Sequence, residues 1–283
     1  MHKFILSAFG DEIDSSLDKQ LEILKLHDIN YLELRGVDGK NVSELNTMEA
    51  LLVKSKLDKN KISVSAIGSP IGKISLTDNF EEHINKFKNV LEIAKIMETE
   101  YIRIFSFYYP EDMDMTECRK TVIERLKYLT GIAEDFKIIL LHENEKDIYG
   151  DIPERCLDII EGVNSPNLKL IFDPANFIQS GIEPYPYAFN LLKSHIVYVH
   201  IKDALNENGS VVPAGCGDGR IEEFLKELRD NSFKGFLSIE PHLASFEGLE
   251  KLERNIKIQK IKRNNIESFA LATDSIKKIL SNI

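Results

Sequence analysis

Cysteine, positive charge and long apolar runs are all scarce in this chain of 283 residues. Its cysteines, Cys118, Cys156 and Cys216, are widely spaced, odd in number and free of any CxxC pair. A disulfide framework is therefore not indicated, and a reducing, cytoplasmic setting is expected. Acids outnumber lysine and arginine, giving a net charge of −10. Proteins that grip phosphate backbones usually present a basic surface, so no nucleic-acid partner is expected. No apolar run approaches the roughly 18 residues needed to cross a bilayer. The opening MHKFILSAFGDEID meets acids too soon for a signal peptide, and no membrane association is expected.

What the chain does have is enough apolar material for a core, 43% of its residues, in an alternating arrangement. Short runs rich in β-branched and aromatic residues fall at 4–9, 31–35, 62–67, 101–107, 137–143, 168–173, 196–201 and 235–240. Segments with helical spacing lie between them, at 17–27, 42–57, 80–97, 116–135, 153–163, 186–194 and 221–230. Strands alternating with helices imply βα units and a parallel sheet, and about eight such units fit a closed (β/α)8 TIM barrel. One barrel needs about 250 residues, so a single α/β domain over 1–283 is expected, ending in a helical segment at about 249–283. The basic run KIQKIKRNN in that segment reads as a solvated helix face rather than a patch for an anionic partner.

Four residues, Glu143, Asp173, His200 and Glu240, stand where the apolar runs IILLHEN, LKLIFDPAN, IVYVHIKD and GFLSIEPH give way to polar loops. Residues at the carboxyl ends of barrel strands share one mouth, and these four recur about one βα unit apart. Three carboxylates and an imidazole suit one divalent cation, Mn²⁺ or Mg²⁺ before Co²⁺ or Zn²⁺.

The runs LHENEKDIYGD, IFDPANFIQSGIEPYPYA, YVHIKDAL, VVPAGCGDG and LSIEPHLA resemble the xylose-isomerase-like TIM-barrel family of sugar isomerases and epimerases. That superfamily also holds inosose dehydratases and, more distantly, DNA-repair enzymes of the endonuclease IV type. The resemblance implies a metal tetrad at Glu143, Asp173, His200 and Glu240, with one ion, often Mn²⁺, and the two glutamates as an acid–base pair. The chemistry agrees: moving a proton beside a sugar carbonyl creates an enediolate, whose charge needs a cation held against its oxygens. Glu143 and Glu240 then exchange the proton, while Asp173 and His200 serve mainly as ligands.

Further residues are candidates for substrate binding. Strand alternation sets Lys202 on the face of His200, His242 on the face of Glu240, and Glu33 with Arg35 on one face of strand two. Lys202 could hold a substrate oxygen or pair with a carboxylate, and Glu33 and Arg35 could pair with each other. Asn176 replaces the histidine that several relatives carry in a DxxH pattern, which tells against a multi-zinc nuclease site. Its amide suits a hydrogen bond to a ligand carboxylate or a sugar hydroxyl. His142 points away from Glu143 and reads as structural. The glycine-rich run 214–219 follows strand seven, where barrels often bind phosphate. It lacks the lysine and serine of a P-loop, and such runs are mostly turns. Cys216 has no thiolate-activating partner.

These readings make the chain a divalent-metal-dependent isomerase or epimerase of a small keto-sugar. The alternatives are a dehydratase on an inosose or 3-keto sugar, a nuclease on abasic DNA and a silent sugar-binding barrel. A homo-oligomer stays open.

Overall fold

The computed structural model describes residues 4–244 and 264–283. Every apolar run becomes a strand: β1 (Ile5–Phe9), β2 (Tyr31–Leu34), β3 (Ser63–Ile67), β4 (Tyr101–Ile104), β5 (Ile139–Glu143), β6 (Leu168–Phe172), β7 (Ile196–Ile201) and β8 (Phe236–Ile239). Each pairs in parallel with the next, and β1 closes on β8 with Ile5 beside Phe236 and Ala8 beside Ile239. The fold is the expected closed TIM barrel.

Alternation along the strands builds the interior in steps. Deep inside, the Tyr198 hydroxyl meets Ser65 Oγ at 2.9 Å, and Ser65 meets Ser7 at 2.6 Å, tying β7, β3 and β1 across the barrel. Two residues above Tyr198 is His200, and two above that Lys202, so one strand carries the chain from the core to the mouth. The alternate residues face outward. Phe172, next to Asp173, packs on Phe177, Phe189 and Phe224 with ring centroids 5.4–5.7 Å apart.

The helices are α1 (Leu17–Leu26), α2 (Thr47–Asn60), α3 (Phe80–Met97), α4 (Met115–Asp135), α5 (Pro153–Val163), α6 (Pro174–Gln179), α7 (Phe189–Leu192), α8 (Ile221–Asp230) and α9 (Asn265–Asn282). The helix expected over 42–57 begins late, because Asn46 accepts the Glu49 amide at 3.0 Å and caps α2. The one expected over 186–194 appears as α7 preceded by a π-helical turn over Pro184–Ala188. Two small hairpins were not anticipated: Gly36–Val37 with Lys40–Asn41, and Asp203–Ala204 with Val211–Val212. Of the expected helical tail, α9 is present, and 249–263 lies outside the described residues together with all of KIQKIKRNN but its two asparagines. Phe269 and Ile276 of α9 are buried, and Lys277 reaches the carbonyl of His27 at 2.6 Å. Among the described residues no helix is long and apolar enough to cross a membrane.

One buried histidine anchors a loop of the barrel mouth. His83 of α3 accepts the Gly72 amide hydrogen through Nε2 at 2.8 Å, and burial, reinforced by Lys86 and Arg125, pushes its pKa down to about 4 from 6.5. The folded chain thus keeps His83 neutral where the unfolded chain protonates it. Its contribution is complete above pH 6.5 and is lost as pH falls toward 4. Urea unfolding of wild type and His83→Gln at pH 7.5 and pH 4.5 should show this contribution, up to about 3 kcal/mol, disappearing in the variant. An acid-side slope unchanged by the substitution would remove His83 as its source.

Candidate active site

Glu143 ends β5, Asp173 follows β6, His200 is the next-to-last residue of β7 and Glu240 follows β8. All four are buried, and one ligand atom from each lies within 4.8 Å of those of the others. His200 is at the middle. Its Nδ1 is 3.0 Å from Glu143 Oε1, 3.4 Å from Glu240 Oε2 and 3.8 Å from Asp173 Oδ2. Its Nε2 faces the Glu33 carboxylate at 3.2 Å. Burial alone disfavours a charged imidazole, but Glu143, Glu33 and Glu240 outweigh it and hold the His200 pKa well above its ordinary value.

Cations bind this acidic cluster together. Lys202 Nζ bridges Asp173 Oδ2 at 3.1 Å and Glu240 Oε2 at 3.2 Å. Arg103 lies 3.2 Å from Glu143 Oε2, and Arg35 reaches Glu240 Oε1 at 2.8 Å. Arg35 also takes both oxygens of Asp11 at 2.8 and 2.9 Å and stacks over Phe9, 4.2 Å from the ring centre. The His242 ring lies 3.3 Å from Glu12 and 3.5 Å from Glu240. Burial would raise the Glu143 carboxyl, yet His200 and Arg103 hold it down at about 2. Burial is likewise overcome at Glu240 by Lys202, His242, His200 and Arg35, which keep it well below the carboxylate range. Both glutamates are therefore ionised at neutral pH.

The cluster fits a divalent cation. Glu143 Oε2 and Asp173 Oδ2 are buried acceptors with no hydrogen bond, although Arg103 and Lys202 stand against them. Hard oxygen donors with one imidazole are a ligand set for Mn²⁺, Mg²⁺ or Zn²⁺.

The surrounding amides hold the carboxylates in place. Asp173 caps α6 by accepting the Asn176 amide on Oδ1 at 2.9 Å, which leaves Oδ2 for the site. Asn144 clasps the Asp173 backbone through both its side-chain atoms, at 2.9 and 3.0 Å. The Asn176 amide donates to Glu143 Oε1 at 3.2 Å and to the Asn144 carbonyl at 2.9 Å. Asn176 thus holds the Glu143 carboxylate.

Other expectations change. Glu33 and Arg35 do not pair, because each finds a partner from another strand end or loop: Glu33 meets His200, and Arg35, just past the end of β2 at Leu34, meets Asp11, Glu12 and Glu240. Glu33 turns to His200 and does not line the pocket, whereas Arg35 does. Lys202 takes the salt-bridge role. The glycine run does not offer its amides to a ligand: Gly215, Gly217 and Gly219 each donate to the Asp203 carboxylate at 2.9 Å. His142 is structural, its Nε2 3.0 Å from Ser106 Oγ.

The pocket over the cluster is lined by Arg35, Lys73, Arg103, Phe105, Glu143, Glu145, Lys202, Glu240 and His242. Lys73 pairs with Glu145 at 3.2 Å and sits over Phe105. Arg103, Asp11 and Glu12 were missed, though each carried a signal. Arg103 is a charge inside the apolar run YIRIFSF, and the two acids end the first strand run as Glu143 ends the fifth.

A family model for the xylose isomerase-like TIM barrel matches residues 21–261. The chain is 23% identical to an inosose isomerase of Bacillus subtilis over 266 residues, 90% of this chain and 93% of that one. It is 23% identical over 235 residues to a 3-dehydroshikimate dehydratase of Bacillus anthracis, 76% of this chain and 79% of that one. The IOLI protein, solved with a bound zinc atom, superposes with a TM-score of 0.75 at 19% identity, covering 98% of each chain.

Glu33 supplies a direct test of the cluster as a cation site. A carboxylate on the far ring nitrogen fixes a ligating histidine, and its loss typically weakens metal binding about 10–100-fold. Calorimetric titration with Mn²⁺ should show that loss for Glu33→Ala and a smaller one for Glu33→Gln, whose amide oxygen still accepts from Nε2–H. Equal affinity in all three proteins would detach Glu33 and His200 from cation binding.

Proposed function

The chain belongs to the xylose isomerase-like TIM-barrel family, and from that premise we propose that it isomerises or epimerises a small keto-sugar by moving a proton at the carbon beside the carbonyl. The observation that carries this reading is the pair of ionised carboxylates, Glu143 and Glu240, flanking Asp173 and His200 around the barrel mouth. Glu143, Asp173, His200 and Glu240 would hold one divalent ion, which when bound offsets negative charge building on the substrate's oxygens. Manganese is the first choice for this oxygen-rich set.

The side chains of the site have separate tasks. An ionised glutamate can accept the carbon-bound proton, and its partner, approaching from the other end of the arc of strands β5 to β8, can return one once it has itself taken a proton from solvent. Return by the same residue to the neighbouring carbon, with the hydroxyl proton passing to the former carbonyl oxygen, gives isomerisation, and return by the partner to the opposite face of the same carbon gives epimerisation. A carboxylate as weakly basic as Glu143 needs the substrate acidified, and Lys202 and Arg103 are close enough to share that work by donating to a developing oxyanion. Asn176 fixes the Glu143 carboxylate, and Arg35 fixes that of Glu240.

The dehydratase among the relatives favours a second reading, in which the same proton abstraction is followed by loss of a β-hydroxyl. A nuclease is disfavoured because Asn176 directs an amide donor at Glu143 where a multi-zinc site needs another imidazole.

Solvent deuterium separates these reactions. Turnover of a confirmed substrate in D₂O should label the carbon beside the carbonyl without loss of mass as water, while a dehydratase product is lighter by one water. Glu143→Gln and Glu240→Gln should each lower kcat by about 10²–10⁴-fold while still binding Mn²⁺. Near-full activity in both variants would end the acid–base assignment.

A further inference from the structure

The charge of the substrate can be taken from the pairing of the groups that face it, an inference that rests on the keto-sugar reading and narrows it. Barrels of this kind commonly seat a phosphate at the loops after strands seven and eight, on backbone N–H groups. After β7 those groups are already engaged. Gly215, Gly217 and Gly219 donate at 2.9 Å to the buried carboxylate of Asp203, which also takes the Ala204 amide at 2.9 Å. The run has the shape of an anion cradle, and the chain's own anion fills it. A Cβ at Gly219 would come within 2.7 Å of Asp203 Oδ1, and one at Gly217 would strike Asp203 and the Ala204 carbonyl. The glycines serve to let the loop close on this internal carboxylate.

The side chains of the pocket tell the same story independently. Each cation there faces a carboxylate: Lys73 faces Glu145, Arg103 faces Glu143, and Lys202 faces Glu240. Arg35 is shared among three acids. Lys202 also faces Asp173, so six carboxylates stand against four lysine and arginine side chains, and a divalent ion at the tetrad brings the balance to zero without a positive surplus. A phosphate dianion in such a pocket adds buried negative charge that nothing balances. A hydroxyl behaves differently, because it donates to a carboxylate and accepts from an ammonium or guanidinium in one step. It can enter a paired site without changing its charge.

We infer that the substrate is an uncharged polyhydroxy ketone, free of phosphate and carboxylate groups, and that Asp203 occupies the place where the anion of a charged sugar would dock.

The full chain labelled with ¹⁵N-glycine and loaded with Mg²⁺ provides the test. Millimolar orthophosphate, and separately D-fructose 6-phosphate, should leave the amide signals of Gly215, Gly217 and Gly219 in place. Asp203→Ser, which empties the cradle, should let orthophosphate shift those signals in a saturable way. Should the variant not fold, the wild-type spectrum still decides. Saturable shifts of the three amides in the wild-type protein would overturn the inference. Ketoses and inososes assayed beside their monophosphates should give kcat/KM at least about tenfold higher for the neutral member of an active pair. A tenfold preference for the phosphate would also overturn it. If no compound turns over, the isomerase reading fails while the glycine signals still report on the charge of the ligand.

Discussion

Carboxylates brought together out of water must be balanced by positive charge, and that requirement organises the mouth of this barrel. Glu143, Asp173 and Glu240 converge with the His200 ring, and Arg35, Arg103 and Lys202 close in from β2, β4 and β7. No single pair does the balancing. Glu240 alone faces Lys202, Arg35 and the two histidines, so each carboxylate is oriented by several contacts and each cation is restrained by several acids. Phe9 provides the apolar side of the arrangement, with Arg35 over its face and the His200 ring 5.2 Å away. Removing one member would leave others buried and unbalanced.

The parallel barrel makes such a network available cheaply. Eight strands deliver their ends to one ring, so residues as distant in sequence as Arg35 and Glu240 meet at 2.8 Å. Below the ring the strands hold together through ordinary packing and the short relay of Ser7, Ser65 and Tyr198. Three of the four clustered residues are therefore positioned by strands and a helix. His200 and Glu143 lie within strands, and Asp173 is fixed at the first turn of α6.

How much was legible depended on whether a residue's role follows from its own element. The eight strands and the convergence of Glu143, Asp173, His200 and Glu240 were readable because each strand is a compact apolar run and each of the four stands at the end of one. The partners of those four were not. Whether Glu33 faces Arg35 or His200 turns on where the closed barrel brings the ring of a residue 167 positions away, which no periodicity reveals. The hairpin at Asp203 is two residues deep on each side, too short for an alternating pattern, and its meaning lies in amides supplied more than ten residues later. Arg103 was visible as a charge in an apolar run, but its connection to Glu143 belongs to the closed barrel rather than to strand four.

The four residues Asp173 to Asn176 are bound to a fixed length. Asp173 spends Oδ1 on capping α6 and turns Oδ2 to the cluster, Pro174 begins the helix without an amide hydrogen to satisfy, and Asn176 returns from the first turn to grip Glu143. An insertion or deletion anywhere among them would detune a ligand and a catalytic candidate together. The stretch from Leu205 to Ser210, at the tip of the neighbouring hairpin, makes its described contacts with Gln179 and Asp218 instead of with the clustered carboxylates. Divergence of function in this scaffold has an address: lengths can change at the tip beyond β7, while the turn beyond β6 must be inherited whole.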